Sequence, residues 1–349
     1  MKQIWLYSVV LLSFLGNAQE KDSLKIKVSG FLETYYAYDF SNPTTDAKQP
    51  FMYNYNRHNE FNVNNGLIRT QLQYGNAYAS IAVHAGTYVD DNYASEDIKL
   101  VSEAYVGMYL NDNKKSSIEV GIMPSYIGFE SATTATNLTL TRSILAENSP
   151  YFMTGIKYNY KPNEKWSFSG LVTNGWQRIN KPEKTVAPAF GTQIVYKPSE
   201  KATLNWSTFI GKEFYGTELG MRYFSNLYWD SQWNSKWRTI LGFDFGIQDS
   251  SSLNDKHLYW MSPVLIAQYS INSKWQTAVR FEYYQDEDNV IVATSDAFKT
   301  SGASLNFDYL PNSKVKLRTE ARYFDSKETI FFDNKSNNFF VTTSLSFEF

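Results

Sequence analysis

Apolar and polar residues alternate with a period of two along most of the chain. Between residues 26 and 39, Ile26, Val28, Gly30, Leu32, Thr34, Tyr36 and Tyr38 share one face, and Lys27, Ser29, Glu33 and Asp39 the other. The same rhythm sets Ala104, Val106, Met108 and Leu110 against Glu103, Tyr105, Gly107 and Tyr109, and Trp237, Leu241, Phe243, Phe245 and Ile247 against Arg238, Gly242, Asp244, Gly246 and Gln248. It also sets Trp275, Val279, Phe281 and Tyr283 against Gln276, Arg280, Glu282 and Tyr284, and Val315, Leu317, Ala321 and Tyr323 against Lys316, Arg318, Glu320 and Arg322. Such alternation predicts β-strands with two unlike faces. The charged row would be prohibitive in a dry core without full pairing, so it is expected to face water. The stretch 258–270 leaves its facing open: Trp260 to Ile266 is nearly continuous, and Pro263 cannot donate to a ladder. At the other extreme, Phe339, Val341, Leu345, Phe347 and Phe349 stand opposite Thr342, Ser344, Ser346 and Glu348, the pattern of a strand with an apolar side and a wet side.

The connections between strands alternate between short and long. The short ones are Gly75-Asn76, 111–116, 161–165, 197–201, 230–235, 272–274 and 311–314, rich in Pro, Asn, Asp and Ser. The long ones fall near 41–60, 89–98, 124–150, 176–187, 212–217, 249–256, 286–296 and 325–337, with 212–217 barely long. This predicts about sixteen strands, short turns on one rim and long loops on the other. A soluble sandwich has no reason to sort its loops so. The expected fold is all-β, a transmembrane antiparallel up-and-down β-barrel with short periplasmic turns and long extracellular loops. Closure requires the last strand to pair with residues 25–40 and removes both sheet edges.

Composition agrees with this. Aromatics make up 17% and charged residues 19% of the 349 residues, against about 25% charged in soluble proteins; aromatic excess suits strands and interface girdles. Tyr36, Trp166, Trp206, Trp229, Trp237 and Trp275 are expected in those girdles. Residues 1–18, with Lys2, an apolar run from Ile4 to Leu15 and Gly16-Asn17-Ala18, form the pattern of a cleaved signal peptide, leaving 19–349 as one barrel domain. Its removal takes away Lys2 alone and moves the formal charge from −2 to −3, which gives no reason to expect nucleic acid. The absence of Cys excludes disulfides, thiolate metal sites and a lipidated N-terminal Cys.

The inward rows supply the candidate pore wall: Glu33, Arg69, His84, Glu103, Arg222, Arg238, Asp244, Arg280, Glu282, Arg318, Glu320 and Arg322. Fixed charge around a narrow channel biases which ions enter, and barrels of about 16 strands leave an aqueous channel. A salt-bridged wall that does not conduct is the competing reading. The longest connection, 124–150, carries Glu130, Arg142 and Glu147; loops of this length are functional or unstructured. Enzymatic chemistry has little support. His58 and His257 lie in or beside loops, His84 is a lone inward histidine, and no cluster has metal-ligand spacing. Asp90-Asp91 and Asp286-Glu287-Asp288 could take divalent cations at the rim, though such runs are more often simply solvated. No cofactor is expected.

Residues 120–130 (VGIMPSYIGFE), 150–156 (PYFMTGI) and 172–176 (VTNGW), with 280–284 (RFEYY) and Asp286, resemble the β-barrel porin-2 (OmpL-like) family of outer membranes. Departures from the family pattern fall at Tyr126, Met153 and Gln177. The resemblance implies an outer-membrane channel for small hydrophilic solutes or ions and does not settle the solute. General porins, which it also resembles, imply that 124–150 folds inward as a constriction. The resemblance further implies a Gram-negative outer-membrane location, lipid as surroundings, and Phe347 and Phe349 as the signal read by the barrel-insertion machinery. Ion preference and assembly as a homotrimer stay open. The alternative is a non-conducting barrel serving as an adhesion or envelope-complex platform; a barrel lipid hydrolase is a more remote one.

Overall fold

The computed structural model describes residues 23–44, 49–181, 187–250 and 256–349; segment 1–18, expected to be a signal peptide, lies outside them. Sixteen strands close into one antiparallel barrel in which every strand pairs with its sequence neighbours and β1 with β16. They are β1 Lys25–Asp39, β2 Phe61–Tyr74, β3 Ala77–Ala85, β4 Val101–Tyr109, β5 Ser116–Pro124, β6 Phe152–Tyr160, β7 Trp166–Thr173 and β8 Ala189–Ser199. The second half comprises β9 Ala202–Tyr215, β10 Glu218–Gln232, β11 Trp237–Ser250, β12 Lys256–Ser270, β13 Trp275–Asp286, β14 Phe298–Tyr309, β15 Val315–Ser326 and β16 Asn337–Glu348. Two short helices sit in loops: α1, Thr87–Asn92, and α2, Ile144–Glu147. Neither was predicted by the alternation, which sees only period two.

The outer face is apolar: Ile26, Val106, Leu241, Phe281, Leu305 and Leu345 are all exposed. At the turn rim Trp166 stacks on Tyr196 at 4.4 Å, Trp237 lies 4.8 Å from Tyr269 and Trp275 4.7 Å from Tyr309, a paired aromatic girdle of the type found at membrane interfaces. Four of the turns share one device. The Oδ1 atoms of Asn163, Asn234, Asn272 and Asn312 each accept the backbone N–H groups two and three residues on, at 2.8–3.0 Å. Each is an Asn-x-Lys turn in which the side chain replaces a backbone acceptor.

Two strand expectations are sharpened. The connection 212–217 is strand: β9 and β10 run on to a two-residue hairpin, Gly216-Thr217, where Gly216 takes φ 58°, as such turns require. In β12, Leu258, Trp260, Ser262, Val264 and Ile266 point inward, while Tyr259 and Leu265 point out and are exposed. Its run is continuous because both faces are covered by apolar matter, the inner one by Leu138, Leu145 and Ala146 of the loop 125–151. The ladder to β13 lapses at Ser262 and Pro263, and the Ser262 hydroxyl donates to the Tyr283 carbonyl at 2.9 Å instead.

A bulge in β2, where pairing shifts between Glu33↔Asn65 and Thr34↔Val63, turns Asn64 inward beside Asn65. Bulges re-aim side chains in this way, and Asn64 Oδ1 accepts the Tyr55 N–H at 3.0 Å, holding the first loop inside the mouth. Phe51 of that loop packs edge-on against Phe298 and Phe324 at 4.8 and 5.6 Å.

Candidate functional site: the barrel lumen and its inner loop

The segment 125–151 lies within the barrel, on the inner faces of β1 and β8 to β15. Its start is held by Tyr126, whose carbonyl accepts from Gln193 and Ser207 at 2.8 and 2.9 Å, and by Gly128, whose N–H donates to Asn226 at 3.2 Å; three charged knots hold the rest. In the first, Arg280 binds Glu320 at 2.6 Å and lies 3.2 Å from Glu282, while Arg322 binds Glu282 at 2.5 Å. The loop inserts into this quartet. The Thr141 N–H and hydroxyl donate to Glu320 at 2.6 and 2.9 Å, Ile144 N–H donates to Glu282 at 2.7 Å, and the Thr141 and Arg142 carbonyls accept from Arg280 and Arg322 at 2.6 and 2.8 Å. In the second, Arg318 pairs with Asp308 at 2.8 Å and donates to the carbonyls of Thr134 and Asn137 at 3.0 and 3.1 Å. In the third, Glu33 accepts from Tyr55, Thr134 and Ser344 at 2.6, 3.0 and 3.0 Å. All six charged wall residues of the first two knots are sealed from solvent, so pairing is what makes their burial tolerable.

The loop's own charges act as staples. Glu130 accepts the N–H and hydroxyl of Ser143, whose hydroxyl in turn caps α2 through the Ala146 N–H at 3.2 Å. Burial pushes the Glu130 carboxyl above its ordinary range, against the pull of Arg280 and Arg142. Arg142 stacks 3.7 Å over the Tyr151 ring and donates to the Ala146 carbonyl at 2.5 Å. Glu147 accepts from Tyr53 N–H, Asn54 and Tyr151 at 2.9, 3.0 and 2.9 Å, tying the first loop to this one.

The remaining wall residues divide by position. Arg69 pairs with Glu103 at 2.5 Å and His84 faces the Lys99 carbonyl at 3.1 Å; all three line a cavity of about 310 Å³ together with Glu130, Arg142 and Tyr151. Arg238 sits near the turn rim, paired with Asp230 at 2.7 Å, and Asp244 is buried against Asn226 at 2.6 Å. Arg222 lies near the loop rim and lines a second cavity of about 410 Å³ with Trp176, Arg178, Glu147 and Glu213. The six inward arginines therefore do not form one ring of field in the lumen. Three of them anchor the loop and one faces the turns.

The acidic runs proposed for divalent cations are otherwise engaged. Asp91 pairs with Arg57 at 2.7 Å, Glu287 with Lys299 at 2.8 Å and Asp288 with Lys256 at 3.1 Å. Asp286 accepts three backbone N–H groups, from Val290, Ile291 and Val292. No group of metal-ligating side chains occurs among the described residues. His58 Nδ1 accepts the Asp39 N–H at 3.0 Å, and His257 Nδ1 lies 2.8 Å from Asp249. Sequence reading missed Thr141, Asp308, Trp176 and Arg178. Asp308 was visible as an inward position of β14; Trp176 and Arg178 lie in a loop where period two says nothing.

The model of the beta-barrel porin-2, OmpL-like family matches residues 25–349. The chain belongs to the porin-2 family. No curated protein matches it. Among solved structures this porin is similar to the outer-membrane channel DcaP of Acinetobacter baumannii, at TM-score 0.66 and 12% identity over 94% of this chain and 98% of that one. It is also similar to an anion-selective porin from Comamonas acidovorans, at TM-score 0.62 and 10% identity over 94% and 100%. A third is OmpF of Salmonella typhi, at TM-score 0.62 and 12% identity over 94% and 100%. At these identities the likenesses speak to the fold. The porin is an outer-membrane β-barrel for passive diffusion, with lipid around its apolar belt and solute passing within.

Proposed function

We propose that this porin passes small hydrophilic solutes and ions through a channel whose cross-section is set by segment 125–151, with Glu130, Arg142 and Glu147 fixing the loop's shape. The observation that supports this reading is the three-knot seating of the loop on the inner wall, with a cavity on either side of its 147–151 stretch. Arg69, His84 and Glu103 would then meet solute in the deeper cavity, and Arg222 in the outer one. Arg280, Arg318, Arg322, Glu33, Glu282 and Glu320 would act as loop anchors. Wall charge biases permeation most where it is left uncompensated.

Reversal potential across a salt gradient in planar bilayers tests conduction and ion preference together. Discrete current steps are expected. Folded protein that never opens steps would replace this reading with the platform. Phe347 and Phe349 are proposed as the signal read by the insertion machinery, and native mass in mild detergent decides whether homotrimers form.

A further inference from the structure

We propose that the outer cavity binds small solutes that carry an acidic group on a compact apolar or aromatic body, with Arg222 as the anion-holding residue. The proposal rests on the channel reading above and names the solute class.

Five of the six inward arginines are committed to carboxylates: Arg69 to Glu103, Arg238 to Asp230, Arg280 to Glu320, Arg318 to Asp308 and Arg322 to Glu282. Arg222 has no such partner. Its Nε donates to Gln248 Oε1 at 2.9 Å, and its two terminal nitrogens meet no protein acceptor among the described residues. Yet the residue is only 4% exposed, and it lines the cavity. Trp176 and Trp260 flank the guanidinium, with ring centres 5.4 and 5.6 Å away. A buried, uncompensated guanidinium is a costly arrangement, and a bidentate acid is the ligand that satisfies it.

The nearby carboxylates do not fill that role because each is held elsewhere. Glu147, on the same wall, accepts from the Tyr53 N–H, Asn54 and Tyr151. Glu213 accepts the Trp176 N–H at 2.6 Å and lies 3.4 Å from Arg178. Asp286 is occupied by the N–H groups of Val290, Ile291 and Val292 at 2.8, 2.7 and 2.9 Å. The last two thereby shape the walls. Glu213 positions Trp176, and Asp286 turns Val290 and Ile291 to the cavity, where Phe214 joins them. Trp176, Phe214, Val290 and Ile291 thus give the chamber an apolar patch beside this cation, in a wall that is otherwise polar, with Tyr53, Asn92, Asn148 and Gln177 among its donors and acceptors. A bare inorganic anion would leave that patch wet, and an amine would meet Arg222 and Arg178. The volume of about 410 Å³ falls within the range of about 300–1,000 Å³ seen for small-molecule sites.

Benzoate is the probe, with acetate as the control for the apolar body and benzylammonium as the control for charge. Ligand-observed NMR titration of the folded barrel in detergent reads binding, and interruption of single-channel current reads occupancy in the bilayer. Benzoate is expected to bind at least tenfold more tightly than acetate, and benzylammonium not at all. Arg222→Gln should weaken benzoate at least tenfold, and Arg222→Lys should restore part of the loss. Gln248→Glu, which gives Arg222 an internal carboxylate, should weaken it comparably and serves if Arg222→Gln does not fold. Equal binding of benzoate and acetate, or wild-type binding by folded Arg222→Gln or Gln248→Glu, overturns the proposal. Benzoate binding by a barrel that never opens current steps would leave the site standing and remove the channel reading. Steps without benzoate binding would do the reverse.

Discussion

Glu320→Gln isolates what holds the inner loop. The glutamate takes Arg280 on one oxygen at 2.6 Å and the Thr141 N–H and hydroxyl on the other at 2.6 and 2.9 Å. The amide removes the charge and turns an NH₂ toward at least one of these donors. Breaking a buried ion pair costs about 3–5 kcal/mol. Arg280 keeps Glu282 nearby at 3.2 Å, so the lower end of that range, about 3 kcal/mol, applies. Backbone pairing of β13 to β15 is untouched, so the loss falls on the seating of residues 139–144 rather than on the barrel. At about 1.4 kcal/mol per tenfold, the ratio of seated to unseated loop falls roughly a hundredfold. Single-channel recording should show larger and noisier conductance steps, and heat-modified gel mobility should remain that of a folded barrel. Glu164→Gln, in the exposed pair with Lys161, is the control and should change neither. Wild-type conductance and noise from folded Glu320→Gln would refute the view that this knot fixes the constriction.

Leu241→Arg places a cation on the outer face of β11, where Leu241 is 53% exposed, and should destabilise the barrel by about 2–4 kcal/mol in urea titrations from lipid vesicles; unchanged stability would mean that this face does not meet lipid. Gly30→Val should lower insertion, because a Cβ at Gly30 would come within 2.3 Å of the Phe349 ring, and adding Phe349→Ala should relieve much of the defect; folding yield into vesicles reads both. Asn272→Ala removes the acceptor of the Lys274 and Trp275 N–H groups and should cost about 1 kcal/mol, with Asn234→Ala and Asn312→Ala adding nearly independently; strongly non-additive losses would contradict local closure of these turns.

Strand number, rim assignment and facing were legible because a wall with lipid on one side and water or polar matter on the other must alternate, and Leu241, Phe281 and Leu345 carry that signal plainly. The fate of the inward charges was not. Arg280, Arg318 and Arg222 occupy equivalent positions in the pattern, yet the first two are sealed by Thr141 and Thr134 from a loop more than a hundred residues away, whereas Arg222 opens to a cavity. Only the path of the loop separates them, and no local periodicity encodes it. Residues 258–270 were ambiguous for a related reason, since Val264 and Ile266 are apolar toward the lumen only because Leu138 and Leu145 cover them. The Asn-x-Lys turns repeat visibly in the sequence and carry the side-chain acceptor that closes each hairpin.

The closed strand order has a kinetic side. Fifteen of the sixteen pairings join neighbours in sequence and can form as local hairpins, whereas β1 with β16 is the one long-range seam; Glu33 and Ser344, bonded across it, are 311 residues apart. Loop-closure entropy falls on that step, so zipping of the seam should be the slow event of assembly. Glu33 also takes Thr134 and Tyr55 from the two inward loops, and Asn338 of β16 reaches Asp39 of β1 at 2.8 Å. The contacts that seat the inner loops therefore latch the seam as well, and a barrel that has admitted its loops is harder to reopen than its ladder alone would make it.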